Sequence, residues 1–190
     1  MLCGVGGQGT VLASKLIAAS AMKKGIKVMS AETIGMAQKG GSVFSHLRMG
    51  DDIETPMISK QSADIIIGFE PAEAVRMLPY LKADGCVIVN SHCVMPVTAS
   101  LKAENYNGSE MLDYLKDNIE NLVIIDCDKA CEELGSFKVL NMVLLGAAVK
   151  SVDLGISDED IKAAIQDKIK PELWDVNFKA IDYLKQAEEK

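Results

Sequence analysis

The chain has 190 residues, enough for one domain with a sizeable buried core. Its 27 acidic residues outnumber its 20 basic ones, which gives a net charge of −7, and the basic residues form no cluster. Binding to a nucleic-acid backbone needs clustered lysine and arginine, so we expect no nucleic-acid partner. Neither a run of about 18 apolar residues nor a secretion signal is present, which predicts a cytoplasmic protein outside the membrane.

The cysteines indicate reduced thiols. There are five of them, an odd number, and no pair has the C-x-x-C spacing of many metal and redox sites. Cys127 and Cys131 are four residues apart, but no histidine or third cysteine lies near them in sequence. An iron–sulfur cluster needs four thiolates, so we expect neither a cluster nor a metal site in this chain.

Short apolar runs alternate with helical patterns along the first two thirds of the chain. Buried strands are predicted over 26–31, 63–69, 86–90 and 121–127, and 42–50 is predicted as an edge or antiparallel strand. Helices are predicted over 8–24, 71–82, 109–119, 137–152, 157–168 and 171–188. This alternation predicts an α/β fold of the three-layer α/β/α Rossmann-like type, with a mainly parallel sheet. We expect one domain over 1–190, with a sheet part over 1–135 and a helical C-terminal cap over 136–190.

A glycine-rich loop lies almost at the start of the sequence. Gly4, Gly6 and Gly9 fit the pattern G-x-G-x-x-G, and the candidate binding residues of the loop are Gly4, Gly6, Gly7, Gln8, Gly9 and Thr10. Such a loop lets a ligand approach the backbone, and the helix after it directs free N–H groups toward an anion. The pattern alone is weak, because the glycines could serve only to pack the helix against the sheet. Three residues before Gly4 are few for a buried central strand, unless the strand is that short.

A second glycine-rich segment follows the predicted strand 26–31. Its candidate binding residues are Glu32, Gly35, Met36, Gln38, Lys39, Gly40, Gly41 and Ser42. Glu32, Gln38 and Lys39 are the candidates for a catalytic role, as a site carboxylate, a hydrogen-bond donor and an anion-binding cation. Glu32 could equally be a loop acid, and Lys39 a solvated lysine. Loops that follow parallel strands gather at one edge of the sheet, so we expect the two glycine segments to lie side by side.

Four further polar residues have a functional and a structural interpretation. His46 and Arg48 share one face of the predicted strand 42–50, and His92 follows the strand 86–90. Either histidine could be a ligand or general base, although the sequence shows no acid to orient it. Asn141 interrupts an apolar helix, and a buried asparagine needs hydrogen-bond partners. We expect Asn141 to contact a loop at the sheet edge, such as the first glycine loop.

Together the two segments, GVGGQGTVLASKLIA and AETIGMAQKGGSVFSHLRMG, resemble the gamma-type subunit or domain of the 2-oxoacid:ferredoxin oxidoreductases, in particular the indolepyruvate branch. The later segment Asn141–Gly146 is similar to the N-x-x-x-[LM]-G helix of that family. The resemblance covers nearly the whole chain. Ile34 and Lys39 depart from it, where histidine and arginine are common.

The resemblance implies a subunit of an enzyme that oxidatively decarboxylates arylpyruvates, forms an acyl-CoA and passes electrons to ferredoxin. It also implies that thiamine diphosphate, Mg²⁺ and 4Fe-4S clusters belong to a large partner subunit, and that this chain carries no cofactor. Coenzyme A is then a substrate of the complex. Two alternatives remain open on the sequence: a free-standing Rossmann-type NAD or FAD enzyme with Glu32 as the ribose-binding acid, and a non-catalytic scaffold.

Overall fold

The computed structural model describes residues 1–32, 40–94 and 108–184. Within them, six strands form one sheet in the spatial order β2-β3-β1-β4-β5-β6. The strands are β1 (Leu2–Val5), β2 (Val28–Glu32), β3 (Ser42–Met49), β4 (Ala63–Gly68), β5 (Leu81–Asn90) and β6 (Asn121–Ile125). β1, β4, β5 and β6 pair in parallel, and β3 runs antiparallel to both of its neighbours. The mainly parallel sheet is confirmed.

Seven α-helices lie in the described residues. They are α1 (Thr10–Lys23), α2 (Pro71–Met77), α3 (Ser109–Asn118), α4 (Cys127–Leu134), α5 (Leu140–Ser151), α6 (Asp158–Lys168) and α7 (Trp174–Ile181). Three parts of the predicted helices form short 3-10 turns instead of α-helix. They are residues 78–80, 137–139 and 171–173. The sequence analysis missed α4, although Asp126 caps its start by accepting from the Lys129 N–H at 3.0 Å and Gly135 ends it with φ 71°.

The helices cover both faces of the sheet, which confirms the three-layer arrangement. α1 and α4 to α7 pack on one face around Leu2, Ile67 and Ile88. α2 and α3 pack on the other face around Cys3, Ile66 and Val87. The helices after residue 136 share the core cluster of α1 and β1, and the division of the chain at 135 remains a prediction.

One strand differs in place from its prediction, and β3 matches the antiparallel alternative of its prediction but not the edge position. The segment predicted as a buried strand over 26–31 forms the edge strand β2, whose residues are half-buried or exposed. β3 lies inside the sheet, between β2 and β1. Its polar residues Ser45 and His46 are both buried there. β1 is only four residues long, yet it pairs on both sides, with β3 and with β4.

Among the described residues, no helix combines the length and the apolar character that crossing a membrane requires.

His46 is a packing residue of β3. Its side chain lies between the rings of Phe44 and Tyr80, in edge contacts at 5.6 and 5.7 Å. Its Nδ1 accepts a hydrogen bond from the backbone N–H of Ile58 at 3.1 Å, which requires a ring that is unprotonated at Nδ1. Burial lowers the pKa of His46. The imidazole therefore favours its neutral form. Its Nδ1 is occupied by Ile58 and its Nε2 is buried, so neither nitrogen is placed to meet a ligand or a substrate proton.

We predict that His46 makes the fold sensitive to mild acid. Its pKa in the folded state lies below the ordinary value of about 6.5, so the unfolded chain takes up a proton first as the pH falls through about 6.5. The free energy of unfolding then decreases until the pH reaches the folded-state pKa. Denaturation with urea at several pH values should show this decrease in the wild type and a smaller one in His46→Gln. His92→Gln is the control, and parallel curves for wild type and His46→Gln would contradict the prediction.

Candidate functional site

The first glycine loop joins the end of β1 to the start of α1. Gly4 has no room for a side chain, since a Cβ there would lie 2.7 Å from the Cβ of Phe69. Gly7 and Gly9 have φ of 108° and 85°, conformations that favour glycine. The loop thus needs its glycines for close packing against β4 and for its turn.

The side chain of Gln8 bridges the ends of two strands. Its Oε1 accepts from the backbone N–H of Val5 at 2.7 Å, and its Nε2 donates to the carbonyl of Phe69 at 3.0 Å. Between β1 and β4 the connecting helices change from one face of the sheet to the other, and ligands of doubly wound folds bind at such a point. Here the amide of Gln8 occupies that crevice.

The two glycine segments lie side by side where the structure describes them. The N–H of Gly6 donates to the carbonyl of Gly41 at 2.8 Å, and the N–H of Gly40 donates to the carbonyl of Gly6 at 3.2 Å. This pair continues the ladder in which Val5 lies opposite Ser42. Gly35, Met36, Gln38 and Lys39 lie outside the described residues.

Ser42 is tied to α2 by a buried carboxylate. Its Oγ donates to Glu73 Oε2 at 2.5 Å, and the Nε of Arg76 lies 3.3 Å from the same oxygen. Glu70 caps α2 by accepting from the Glu73 N–H at 3.0 Å. Sequence reasoning missed both glutamates, although an acid before Pro71 and a second acid three residues later mark a helix start.

Glu32 does not lie beside the first glycine loop. It pairs with Ser45, which pairs with Leu2, so β3 separates Glu32 from β1. Across the sheet, Glu32 is two strand spacings of about 4.8 Å each from β1. Along the strand direction, it lies at the height of Leu2, below the loop that follows Val5. A dinucleotide site instead places its ribose-binding acid on the strand next to the glycine loop.

Asn141 contacts the first glycine loop, as the sequence predicts. It is buried in the first turn of α5, and its Nδ2 lies 3.5 Å from the Gly9 carbonyl, a long hydrogen bond. A Cβ on Gly9 would lie 2.6 Å from that nitrogen. The neighbouring Thr10 is buried too, and its Oγ1 has no hydrogen-bond partner among the described residues.

His92 does have an orienting acid. Its Nδ1 lies 2.5 Å from Oδ2 of Asp128 in the first turn of α4, and both side chains are roughly half-exposed. An aspartate on one ring nitrogen leaves the other nitrogen for a ligand. Because Asp128 is 36 residues further along the chain, the sequence analysis did not pair it with His92.

Asn90, a buried residue that sequence reasoning missed, fixes the backbone near this pair. Its Oδ1 accepts from the N–H groups of His92 and Cys127, both at 3.3 Å. Its Nδ2 donates to the carbonyl of Phe69 at 3.4 Å. A polar residue at the end of an apolar strand was the available signal.

A pocket of about 520 Å³ lies against the outer side of the first glycine loop. Gly7, Gly9 and Asn141 contribute polar groups to it. Its remaining lining includes the polar His92, Asp128 and Lys138 and the apolar Leu12, Phe137 and Leu140. The pocket is open to an amphipathic ligand or to a side chain of a partner.

The cysteines are not arranged for metal chemistry in the part of the chain that the structure describes. Cys3, Cys127 and Cys131 are fully buried. Burial raises the pKa of all three thiols, to about 11 for Cys131, and so disfavours thiolates. In residues 1–32, 40–94 and 108–184, no three His, Cys, Asp or Glu side chains are grouped to hold a metal ion.

We predict that Gly9→Ala destabilises the fold more than Gly7→Ala. Both substitutions place a side chain on a backbone with positive φ, but only Gly9 has Asn141 in the way, whereas the space at Gly7 is open. The clash should add about 1–3 kcal/mol to the loss in free energy of unfolding, measured with urea. When each substitution is combined with Asn141→Ala, the losses in free energy of unfolding caused by Gly9→Ala and by Gly7→Ala should become more similar. Equal losses for the two single variants would show that Asn141 does not restrict the loop.

Comparison with known proteins identifies the family. The chain matches the model of the pyruvate ferredoxin/flavodoxin oxidoreductase family over residues 1–187. Indolepyruvate oxidoreductase subunit IorB of Pyrococcus horikoshii is 36% identical over 184 residues, which span 96% of this chain and 91% of that protein.

Solved structures share the fold. The gamma subunit of a keto/oxoacid ferredoxin oxidoreductase from Geobacter sulfurreducens has a TM-score of 0.68 at 18% identity, with 100% of this chain and 97% of that chain covered. A 2-oxoglutarate:ferredoxin oxidoreductase from Magnetococcus marinus, solved with 2-oxoglutarate, coenzyme A and succinyl-CoA bound, has a TM-score of 0.71 at 19% identity. There the match covers 99% of this chain but 30% of that one. The chain belongs to the pyruvate ferredoxin/flavodoxin oxidoreductase family.

Proposed function

We propose that this chain is the gamma-type subunit of a cytoplasmic 2-oxoacid:ferredoxin oxidoreductase whose substrate is an arylpyruvate such as indolepyruvate. The complex decarboxylates the 2-oxoacid oxidatively, transfers the acyl group to coenzyme A and passes the electrons to ferredoxin. The observation that carries the proposal is the nearly full-length match to subunits named for indolepyruvate oxidoreductase, at 33–36% identity in four archaea.

The cofactors of the reaction are assigned to a large partner subunit. A 4Fe-4S cluster needs four cysteine thiolates, and the residues of this chain do not fit it: Cys3, Cys127 and Cys131 are buried and their raised pKa values favour the thiol form. We therefore assign the iron–sulfur clusters to the partner. The family resemblance assigns thiamine diphosphate with its Mg²⁺ to the same subunit, which makes a hetero-oligomer the working enzyme.

The contribution of this chain is the glycine edge, by which we mean residues 4–10 and 40–42. The N–H groups of Gly6 and Gln8 donate within the protein, to the carbonyls of Gly41 and Val5. In this proposal, Gly7, Gly9 and the first turn of α1 contact coenzyme A or the partner subunit. Asn141 Nδ2 donates to the carbonyl of Gly9, and Ser42 Oγ donates to Glu73 on α2; these two bonds hold this backbone in place.

The free-standing Rossmann enzyme is the weaker candidate for two geometric reasons. The side chain of Gln8 occupies the crevice in which a dinucleotide would lie. Glu32 lies two strands away from β1, too far for the ribose contact that accompanies a glycine loop. A scaffold without a catalytic role remains the other alternative, and an assay of the assembled complex separates it from our proposal.

We predict that activity appears only in the complex. The purified chain alone should hold neither iron nor thiamine diphosphate and should bind NAD, NADP and FAD more weakly than micromolar. Together with its large subunit it should support ferredoxin reduction that depends on both indolepyruvate and coenzyme A. Stoichiometric iron or thiamine in the isolated chain, or micromolar binding of a dinucleotide, would refute the proposal. A large subunit that is fully active by itself would favour the scaffold.

We also predict that substitutions of Gln38 and Lys39 affect the activity of the complex but not the stability of the isolated chain. If the second glycine segment faces the partner or coenzyme A, then Gln38→Ala and Lys39→Ala should change the free energy of unfolding of the isolated chain by at most about 0.5 kcal/mol. The same variants should lower turnover or association in the complex. Lys150→Ala, at the end of α5, is a control on another part of the surface. Variants that unfold the isolated chain but spare the complex would show a structural role.

A further inference from the structure

Phe137 is an exposed aromatic residue beside the glycine edge. It begins the 3-10 turn Phe137–Val139, in which Ser136 accepts from the Lys138 N–H at 3.3 Å. Val139 is buried at the other end of the turn, so the backbone that carries Phe137 is anchored in the core. Phe137 nevertheless leaves 62% of its surface exposed. Within residues 1–32, 40–94 and 108–184, no packing contact accounts for an aromatic side chain at this position.

Phe137 forms one wall of an apolar groove. Leu12 on α1, which is 36% exposed, and Leu140 at the start of α5 line the same pocket of about 520 Å³. The groove ends on the backbone of Gly7 and Gly9 and is therefore continuous with the glycine edge. Grouped exposed apolar side chains mark interaction sites, and aromatic anchors contribute much of the binding free energy in protein interfaces.

The groove itself carries one carboxylate and one lysine, Asp128 and Lys138, whereas the surface beside it is mainly acidic and points to a partner with basic residues. An adjoining depression is lined by the carboxylates of Asp126, Asp128 and Glu132, with Lys129 as its one lysine. The chain as a whole carries a net charge of −7. A second copy of the chain would bring the same acidic rim against this one, which opposes self-association.

We infer that this groove is a docking site for the large subunit, which inserts an apolar side chain between Leu12 and Phe137 and places lysine or arginine residues against the acidic rim. The inference rests on the proposed function.

Association of the chain with its large subunit tests the inference. Phe137→Ala and Leu12→Ala should each raise the dissociation constant, by at least about tenfold for Phe137, as is usual for an aromatic anchor. Tyr114→Ala and Leu173→Ala are matched controls, since these residues are 49% and 45% exposed but do not line the groove. Glu132→Gln should slow association and weaken its dependence on salt. Thermal unfolding of each isolated variant verifies the fold.

The outcomes separate the two proposals. If the wild-type complex forms and Phe137→Ala binds as tightly as the two controls, the docking site is wrong and the proposed function stands. If Phe137→Ala raises only the KM for coenzyme A and not the dissociation constant of the subunits, the groove binds a small ligand and the docking site is also wrong. If the isolated chain forms a homodimer and Phe137→Ala makes it monomeric, the groove binds a second copy of the chain and the docking site for the large subunit is wrong. Failure of the wild-type chain to bind any large subunit overturns both proposals.

Discussion

The carbonyl of Phe69 joins the strand ends on which the candidate site is built. It accepts from Nε2 of Gln8, in the loop after β1, and from Nδ2 of Asn90, at the end of β5. A carbonyl oxygen has two lone pairs, so both bonds can form at once. Gly4 makes this possible, because any side chain there would push Phe69 and Gln8 away. Asn90 extends the network to the N–H of Cys127, where β6 leads into α4.

The Gly6–Gly41 pair continues the same network to β3 on the other side. The N-terminal end of β3 and the C-terminal ends of β1, β4, β5 and β6 are thus linked by neutral amide groups, and the side chain of Gln8 bridges β1 and β4. Amides that bond to neighbouring strand ends make an edge rigid, and the bonded atoms of Gln8 and Asn90 are not available to a ligand at the sheet centre. What remains accessible is a surface of glycine backbone with a groove beside it. Such a surface suits contact with another subunit better than enclosure of a small molecule.

Local signals in the sequence were sufficient for the first glycine loop. Pro71 at the start of α2 and the capping box of Ser157 and Asp160 in α6 are further local signals that the structure matches. Asn141 was predictable because a lone amide in an apolar helix must find a partner. The interior position of β3 was not, since its polar Ser45 and His46 look solvated until α1, Phe44 and Tyr80 are seen to cover them. The His92–Asp128 pair and the bridging role of Gln8 depend on strand order. Strand order departs here from the Rossmann pattern through the insertion of β3, and no local pattern specifies that insertion.

The chemistry available to this chain explains why it would act through a partner. Both of its histidines already have partners. His46 is packed in the sheet and accepts a hydrogen bond from the Ile58 N–H, and His92 is paired with Asp128. Its most buried thiols are held in the protonated form by burial, so they are poor nucleophiles and poor metal ligands. Acyl transfer and electron transfer need redox centres and an activated carbon nucleophile, which no arrangement of the described side chains supplies. Backbone N–H groups at the start of α1 can, however, hold an anion wherever a partner brings one, because they act without titrating and without moving. Under the proposed function, the glycine edge would serve catalysis by fixed geometry, and the large subunit would supply the reactive groups.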